Sequence, residues 1–227
     1  MTAPPNVPYV ATVTDCSEIT LVGAADLAYW QAHLQPEGLH PFIADGQAEV
    51  VLMAVRSKWF IRFREFNVAL FVSKNADGAS RDALFLASAF NSSRSFAFVE
   101  RHMFHTPYVH AAVELQVEPA SFQVLDGAAG VIAARRGATT AATGSTDETW
   151  EGSLAIPSKP QGARERFFAR LGGAQSSYAF AEGRDSLQIT PSSFPVTQWL
   201  LDSHFTPHTW LVRPRAVHSR SKTYPRS

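Results

Sequence analysis

Two neighbouring segments, Glu49–Val55 and Trp59–Val72, restrict this chain more than any other feature. Val50, Val51, Leu52, Met53 and Val55 form a nearly continuous apolar run, the pattern of a strand buried on both faces. The second segment alternates at its start. Ile61, Phe63 and Glu65 share one face, Arg62 and Arg64 the other, and Val68–Val72 is apolar throughout.

Most of the remaining segments also read as strands. Tyr9–Val13 and Glu18–Val22 are short and β-branched, and form two strands or one bent one. Ala111–Val117, Phe122–Leu125, Val131–Arg135, Ser177–Ala181 and Leu187–Thr190 are strands punctuated by turns such as Glu118–Pro119 and Asp126–Gly127. Asp82–Phe90 fits a strand or a helix. Asp26 caps a helix carrying Leu27, Trp30, His33 and Leu34 at helical spacing, which Pro36 and Gly38 end. A short helix is expected within 91–101, and Arg164–Leu171 reads as an amphipathic helix closed by Gly172–Gly173. Gly137–Thr149, rich in Ala, Thr, Gly and Ser, reads as a flexible loop. The sum is a strand-dominated α+β domain over 9–218, with an extended proline-rich arm at 1–8 and a basic, solvated tail at 219–227.

The 227 residues carry a formal net charge of zero, so nothing calls for a nucleic-acid partner. No apolar run approaches the roughly 18 residues that span a bilayer, and the first residues lack the basic and apolar regions of a signal peptide. One cysteine, Cys16, excludes an internal disulfide and fits a reducing compartment, so a cytoplasmic protein is expected.

Chemistry-bearing residues concentrate at Glu100–His110, where His102, His105 and His110 surround Phe104 and Pro107. Pro107 stops a helix and biases Thr106 away from the α region, giving a rigid connector of the kind that carries function. The histidines titrate near neutral pH and can shuttle protons. Their spacings of three and five do not form a helical metal-binding face, so no metal is expected. GxGxxG, P-loop, GxSxG and zinc-site patterns are all absent. No cofactor is expected.

Three stretches carry a resemblance to the acetoacetate decarboxylase-like superfamily, spanning about Val13 to Val217. Val51–Leu52–Met53–Ala54–Val55 followed by Phe63–Arg64–Glu65 resembles the family's strand pair with its catalytic glutamate. Val99–Glu100–Arg101 through Pro107–Tyr108–Val109 resembles the segment running from glycine-arginine-glutamate to Pro-Lys-Lys. Pro195–Val196–Thr197 through His204, with Arg213–Pro214–Arg215–Ala216–Val217, resembles the C-terminal segment. The resemblance implies a cone-shaped, closed antiparallel sheet around a cavity with a few short helices, a small-molecule substrate and a homo-oligomer.

The departures from that pattern are as informative. Tyr108 and Val109 stand where the family has its lysine pair, and a phenol cannot form an iminium with a ketone. The arginine that binds the substrate carboxylate falls on or near Cys16, and an acidic position on the strand of Val51 is apolar, with Glu49 two residues away. Lys58, an imaginable replacement amine, falls on the opposite face from Glu65 in a regular strand. What remains implies a lysine-independent enzyme of specialised metabolism, acting on a keto or enol acid or a polyketide-like molecule by acid/base chemistry, or a non-catalytic binding protein of the same fold. Glu65, raised in pKa if it faces the cavity, is the expected acid/base, with Tyr108 and His105 polarising oxygen. Arg101, His102, Phe63, Trp59 and Phe104 are the expected substrate contacts.

Overall fold

The computed structural model describes residues 7–137, 141–159 and 163–226. Most of the arm expected at 1–8, part of the loop expected at 137–149 and the last residue of the tail lie outside the described residues.

The elements follow in order: β1 (Tyr9–Ala25), α1 (Leu27–Leu34), β2 (His40–Pro41), β3 (Ile43–Ala44), β4 (Gln47–Lys58), β5 (Arg62–Ser73) and β6 (Ala83–Asn91). Then come α2 (Arg94–Met103), β7 (Tyr108–His110), β8 (Ala112–Gln116), β9 (Ser121–Asp126), β10 (Ala129–Arg135), β11 (Gly144–Thr146) and β12 (Trp150–Ile156). The chain ends with β13 (Glu165–Gly172), β14 (Gln175–Ala179), β15 (Ser186–Ile189), α3 (Pro195–Asp202), β16 (Thr206–Ser221) and β17 (Tyr224–Pro225).

Seven strands close into a barrel in the order β16-β1-β4-β5-β6-β12-β13, with β13 pairing back onto β16. Every neighbouring pair in this ring is antiparallel except β6 and β12, which run parallel. A second sheet, β15-β10-β9-β8, covers one side. The apolar run of β4 is thereby explained. Val50 and Leu52 join Ile19, Leu21, Phe66, Val68 and Leu70 on the outer face, packed with Phe122, Val124 and Ile132 of the second sheet and Trp30 of α1. Val51 and Met53 face the barrel interior.

The first strand is single and bent, with register shifts against β16 between Val13 and Glu18, where the turn separating two candidate strands was expected. Ala83–Asn91 resolves as a strand, because its side chains bury on both faces. Asn91–Arg101 contains α2, whose N-cap Ser93 accepts a hydrogen bond from the Phe96 N–H.

Two expectations are corrected. Arg164–Leu171 is not a helix but most of β13. Phe167, Ala169 and Leu171 line the barrel interior while Phe168 packs outward on Tyr224, so apolar side chains stand on both faces and blur the two-residue period. The glycine pair read as a helix end instead links β13 to β14, which pair with successive stretches of β16. Gly173 adopts φ +110, and a Cβ there would stand 2.3 Å from the Arg215 carbonyl oxygen. Nor is the chain after 218 a solvated tail. Strand β16 runs to Ser221, β17 pairs with β13, and Arg226 Nη2 lies 2.8 Å from Glu37 Oε2. These basic residues find carboxylates far away in sequence.

Phe66 is fully buried between Phe90 and Phe122, where barrel and second sheet meet. Replacing it with alanine removes that contact and leaves a void. Phe66→Ala is expected to cost about 3–5 kcal/mol in urea unfolding, whereas Phe60→Ala, at a position 84% exposed, changes stability by less than about 0.5 kcal/mol.

Candidate active site

The inward faces of the barrel strands enclose a cavity of about 930 Å³. This lies near the top of the roughly 300–1,000 Å³ range of small-molecule pockets, far more than a short-chain keto acid fills. Val51, Met53, Ala69, Leu84, Leu86 and Leu154 make much of its wall. Against that apolar lining a few polar side chains stand out.

Strand register sets them in a row. Arg213 of β16 pairs with Glu18 of β1, Glu18 with Val55 of β4, Val55 with Glu65 of β5, and Glu65 with Asn91 of β6. Directly paired residues point to the same face of a sheet, so Glu18 and Glu65 both reach the cavity from two strands apart, about 10 Å by backbone spacing. Asn91 fixes Glu65. Its Oδ1 accepts the Ser93 N–H at 2.8 Å, so its Nδ2 is left to donate to Glu65 Oε1 at 2.9 Å. The N-terminus of α2 and the orientation of the carboxyl are therefore one construction.

Tyr108 enters from β7, which pairs in parallel with β6, and its phenol hydrogen-bonds Glu65. Burial is the main force on both groups. It raises Glu65 from 4.5 to about 7, helped by the charge of Glu100 and opposed by His218, the Tyr108 hydrogen bond and Arg220. Burial, with the charges of Glu65 and Glu100, pushes Tyr108 well above the usual phenol value and keeps it a hydrogen-bond donor.

Glu18 behaves oppositely. Burial alone would raise it, but His218 and Arg213 outweigh burial and hold its carboxyl below the ordinary value. Arg213 Nη1 lies 2.6 Å from Glu18 Oε1, and His218 Nε2 2.9 Å from Glu18 Oε2. A further pair, Glu100 with Arg220, spans α2 and β16 and forms a short ion pair. The Arg220 guanidinium sits 4.5 Å from the ring centroids of both Phe104 and Phe167. Thr106 donates to the Glu100 carboxylate at 3.0 Å and binds the cap of α2 to the connector.

Of the residues singled out from sequence, Glu65, Tyr108, Phe63, Trp59 and Phe104 line the cavity. Trp59 stands at its rim, 43% exposed, against Phe60 and Phe96, and Phe63 meets Phe96 edge-on. Arg101, His102 and His105 do not reach it, which corrects the expectation that the connector presents them inward. The helix α2 carries Glu100 on its inner side and turns Arg101 and His102 to solvent, where His102 packs on Phe98. His105 has φ 57, a left-handed turn that swings its ring outward to Glu165, Nδ1 to Oε2 3.2 Å. It braces the connector against β13.

The cavity groups that sequence reading missed are Glu18, Glu100, Arg213, His218 and Arg220 as partners of the site. Cys16 is buried against Ser57 and burial raises its pKa. The four lysines, Lys58, Lys74, Lys159 and Lys222, are absent from the cavity lining. Among the described residues no three His, Cys, Asp or Glu side chains are grouped to hold a metal ion. No helix among them is long and apolar enough to cross a membrane.

No protein-family model and no curated protein matches the sequence. Solved structures do match in three dimensions. The acetoacetate decarboxylase of Legionella pneumophila subsp. pneumophila str. Philadelphia 1 superposes with a TM-score of 0.68 at 14% identity, covering 100% of this chain and 92% of that one. The enduracididine biosynthesis enzyme MppR, complexed with the condensation product of pyruvate and imidazole 4-carboxaldehyde, has a TM-score of 0.64 at 11% identity, covering 97% and 90%. An acetoacetate decarboxylase-like enzyme from Sphingomonas wittichii RW1 has a TM-score of 0.62 at 13% identity, covering 95% and 92%. The strand-dominated chain with its closed seven-strand barrel has the acetoacetate decarboxylase-like fold.

Proposed function

We propose that this chain is an enzyme that moves a proton on an enolisable carbonyl compound without forming an imine, in dehydration, isomerisation, cyclisation or a non-imine decarboxylation. One observation carries the reading: a buried carboxyl with a pKa of about 7 is hydrogen-bonded to a phenol inside a large apolar cavity. A carboxyl balanced near the ambient pH both takes and returns protons efficiently. Glu65 removes the proton beside the substrate carbonyl. The Tyr108 hydroxyl donates to the oxygen on which negative charge develops, and its raised pKa keeps the donor protonated. His218, held by Glu18, is the half-buried imidazole at the cavity and stands in for His105, which lies outside it. It is suited to return a proton from the wall opposite Glu65.

The imine-free reading is supported by a cavity whose described lining holds no lysine and by Tyr108, which stands where the resemblance puts the reactive lysine. The carbonyl character of the substrate is supported by a structural neighbour, MppR, complexed with a condensation product of pyruvate and imidazole 4-carboxaldehyde. A role in specialised metabolism rests on that likeness. A non-catalytic carrier of an apolar ligand is the alternative, and turnover separates the two.

Three outcomes test the reading. Incubated in D₂O with the compound that co-purifies with the protein, Glu65→Gln is expected to lose at least about 100-fold in deuterium incorporation, and Tyr108→Phe about 10- to 100-fold. Wild-type incorporation rises with pH through about 7, the value at which Glu65 ionises, and the Gln variant lacks that inflection. Equal rates in wild type and Glu65→Gln sink the catalytic role. Borohydride with acetoacetate is expected to leave every lysine unmodified by mass spectrometry, and a trapped adduct on any lysine refutes imine independence.

Stability carries the same signature. The folded protein keeps a proton on Glu65 that the unfolded chain releases, so this contribution is complete below about pH 4.5 and lost as pH rises through about 7. Between those limits wild type is expected to lose roughly 3 kcal/mol relative to Glu65→Gln in denaturant unfolding.

A further inference from the structure

We infer that the cavity takes an uncharged, largely apolar carbonyl compound and rejects the carboxylate anion of a keto acid. The inference rests on the proton-transfer reading above and narrows its substrate. It is carried by the pairing of charges around the cavity.

Three arginines line it, and each already holds a glutamate. Arg213 is bound to Glu18 at 2.6 Å, Arg81 to Glu49 at 2.8 Å, and Arg220 to Glu100 in a short ion pair. No lysine is among the lining residues, and His218 is committed to the second oxygen of Glu18. The other lining histidine, His208, is exposed and bonds Thr209. The carboxylates outnumber the arginines, with Glu65 and the rim residues Glu148 and Glu151 in addition. Glu151 is met by Arg170 at 3.2 Å.

A substrate carboxylate entering here meets arginines whose charge is already neutralised, and gains an unneutralised one only by displacing the resident glutamate. The displaced glutamate is left buried without a counter-charge, which costs several kcal/mol. Two of the arginines cannot swing to serve both. Arg213 is 7% exposed, and Arg220 is held beside the Phe104 and Phe167 rings. Arg81 is the most mobile by exposure, but it lies over Phe42 and Phe71 while its partner Glu49 is buried. An anion would also repel the charged form of Glu65 and raise its pKa beyond the working range.

A neutral ligand meets none of these costs. It finds apolar walls and polar atoms without a hydrogen-bond partner, Asn67 Oδ1 as well as Arg213 Nε and Arg220 Nη2, that an uncharged donor or acceptor can meet without disturbing a charge pair. Asn67 lies two residues from Glu65 on β5, about 7 Å along the strand and on the same face. The ligand class is thus an uncharged, largely apolar carbonyl compound with a second hydrogen-bonding group, such as a polyketide-like ester, lactone or ketone. Decarboxylation, which needs a carboxylate substrate, leaves the set of reactions, and isomerisation, dehydration and cyclisation stay.

The test is calorimetric titration at pH 6.5 with two probes of one skeleton, ethyl benzoylacetate and benzoylacetate. The ester is expected to bind the wild-type protein at least about tenfold more tightly than the acid. Glu100→Gln, which releases Arg220, is expected to strengthen benzoylacetate binding at least about tenfold. Glu49→Gln, which releases the half-exposed Arg81, tests the same exchange at a less constrained site. Benzoylacetate binding wild type as tightly as the ester, or no gain in either folded variant, overturns the inference. The two readings fail separately: ester preference with Glu65-independent exchange sinks only the proton-transfer role, and acid preference with Glu65-dependent exchange sinks only the neutral substrate.

Discussion

The structure of the site depends on a carboxyl group buried without a cation of its own. Glu65 sits on a barrel strand, largely screened from water inside the cavity, and its direct partners are an amide and a phenol. Desolvation therefore acts on it almost undiluted, and the group responds by holding its proton to near neutrality. Asn91 supplies the geometry. Because its oxygen is taken by the Ser93 N–H, its amide can only donate toward Glu65, so the start of α2 and the angle of the carboxyl are set together. At its inner side the same helix carries Glu100, whose charge pushes the proton affinity of Glu65 higher. Arg220 pairs with Glu100 and limits that push. One helix thus positions the acid and adjusts it.

The paired charges elsewhere solve a different problem. A barrel closed by long strands has an inner face with few ways to reach water. The inward Arg213 and Arg220 therefore need a carboxylate, and the sequence supplies one on the neighbouring strand β1 and one on α2. Glu18 shows the contrast with Glu65. Both are buried in the same row of the sheet, yet Glu18 meets Arg213 and His218 and stays ionised. Two carboxyls in one row of the sheet are driven apart in proton affinity chiefly by their neighbours, for the more deeply buried Glu18 is the one held ionised, and the proposed acid/base role of Glu65 rests on that contrast.

The legible parts of the fold were those written in local patterns. The apolar run of β4 and the alternation through Phe63 and Glu65 mark strands with two covered faces, and the likeness around Tyr108 puts that residue beside the same cavity. Local pattern misled where one segment serves two surfaces. Phe167 and Phe168 of β13 both bury, one inward and one outward, so a strand looked helical. The cluster of histidines near Pro107 looked like a site because it is dense in sequence, but α2 and the left-handed turn at His105 spread those rings over the outside. The partners that do build the site were illegible for the opposite reason. Glu18 and Arg213 stand 195 positions apart, and Glu100 and Arg220 stand 120 apart. Only barrel closure between β1, β13 and β16 brings them together, and no periodicity records a closure.

Tyr108 gathers these constraints at one position. A nucleophilic amine has to be unprotonated, and a fold that uses one lowers its pKa with a neighbouring cation or a dry apolar wall. Here position 108 faces Glu65 and Glu100 instead. An ammonium between two carboxyls would be stabilised as the charged, unreactive form, and it would draw the proton from Glu65 by making the carboxylate the better state. The phenol has the reverse response to the same surroundings. Negative neighbours and burial hold its proton in place, which is what a hydrogen-bond donor to a developing oxyanion requires. A tyrosine at this position and carboxylates around it are therefore one electrostatic choice, and it is the choice on which the proposed imine-free reading rests.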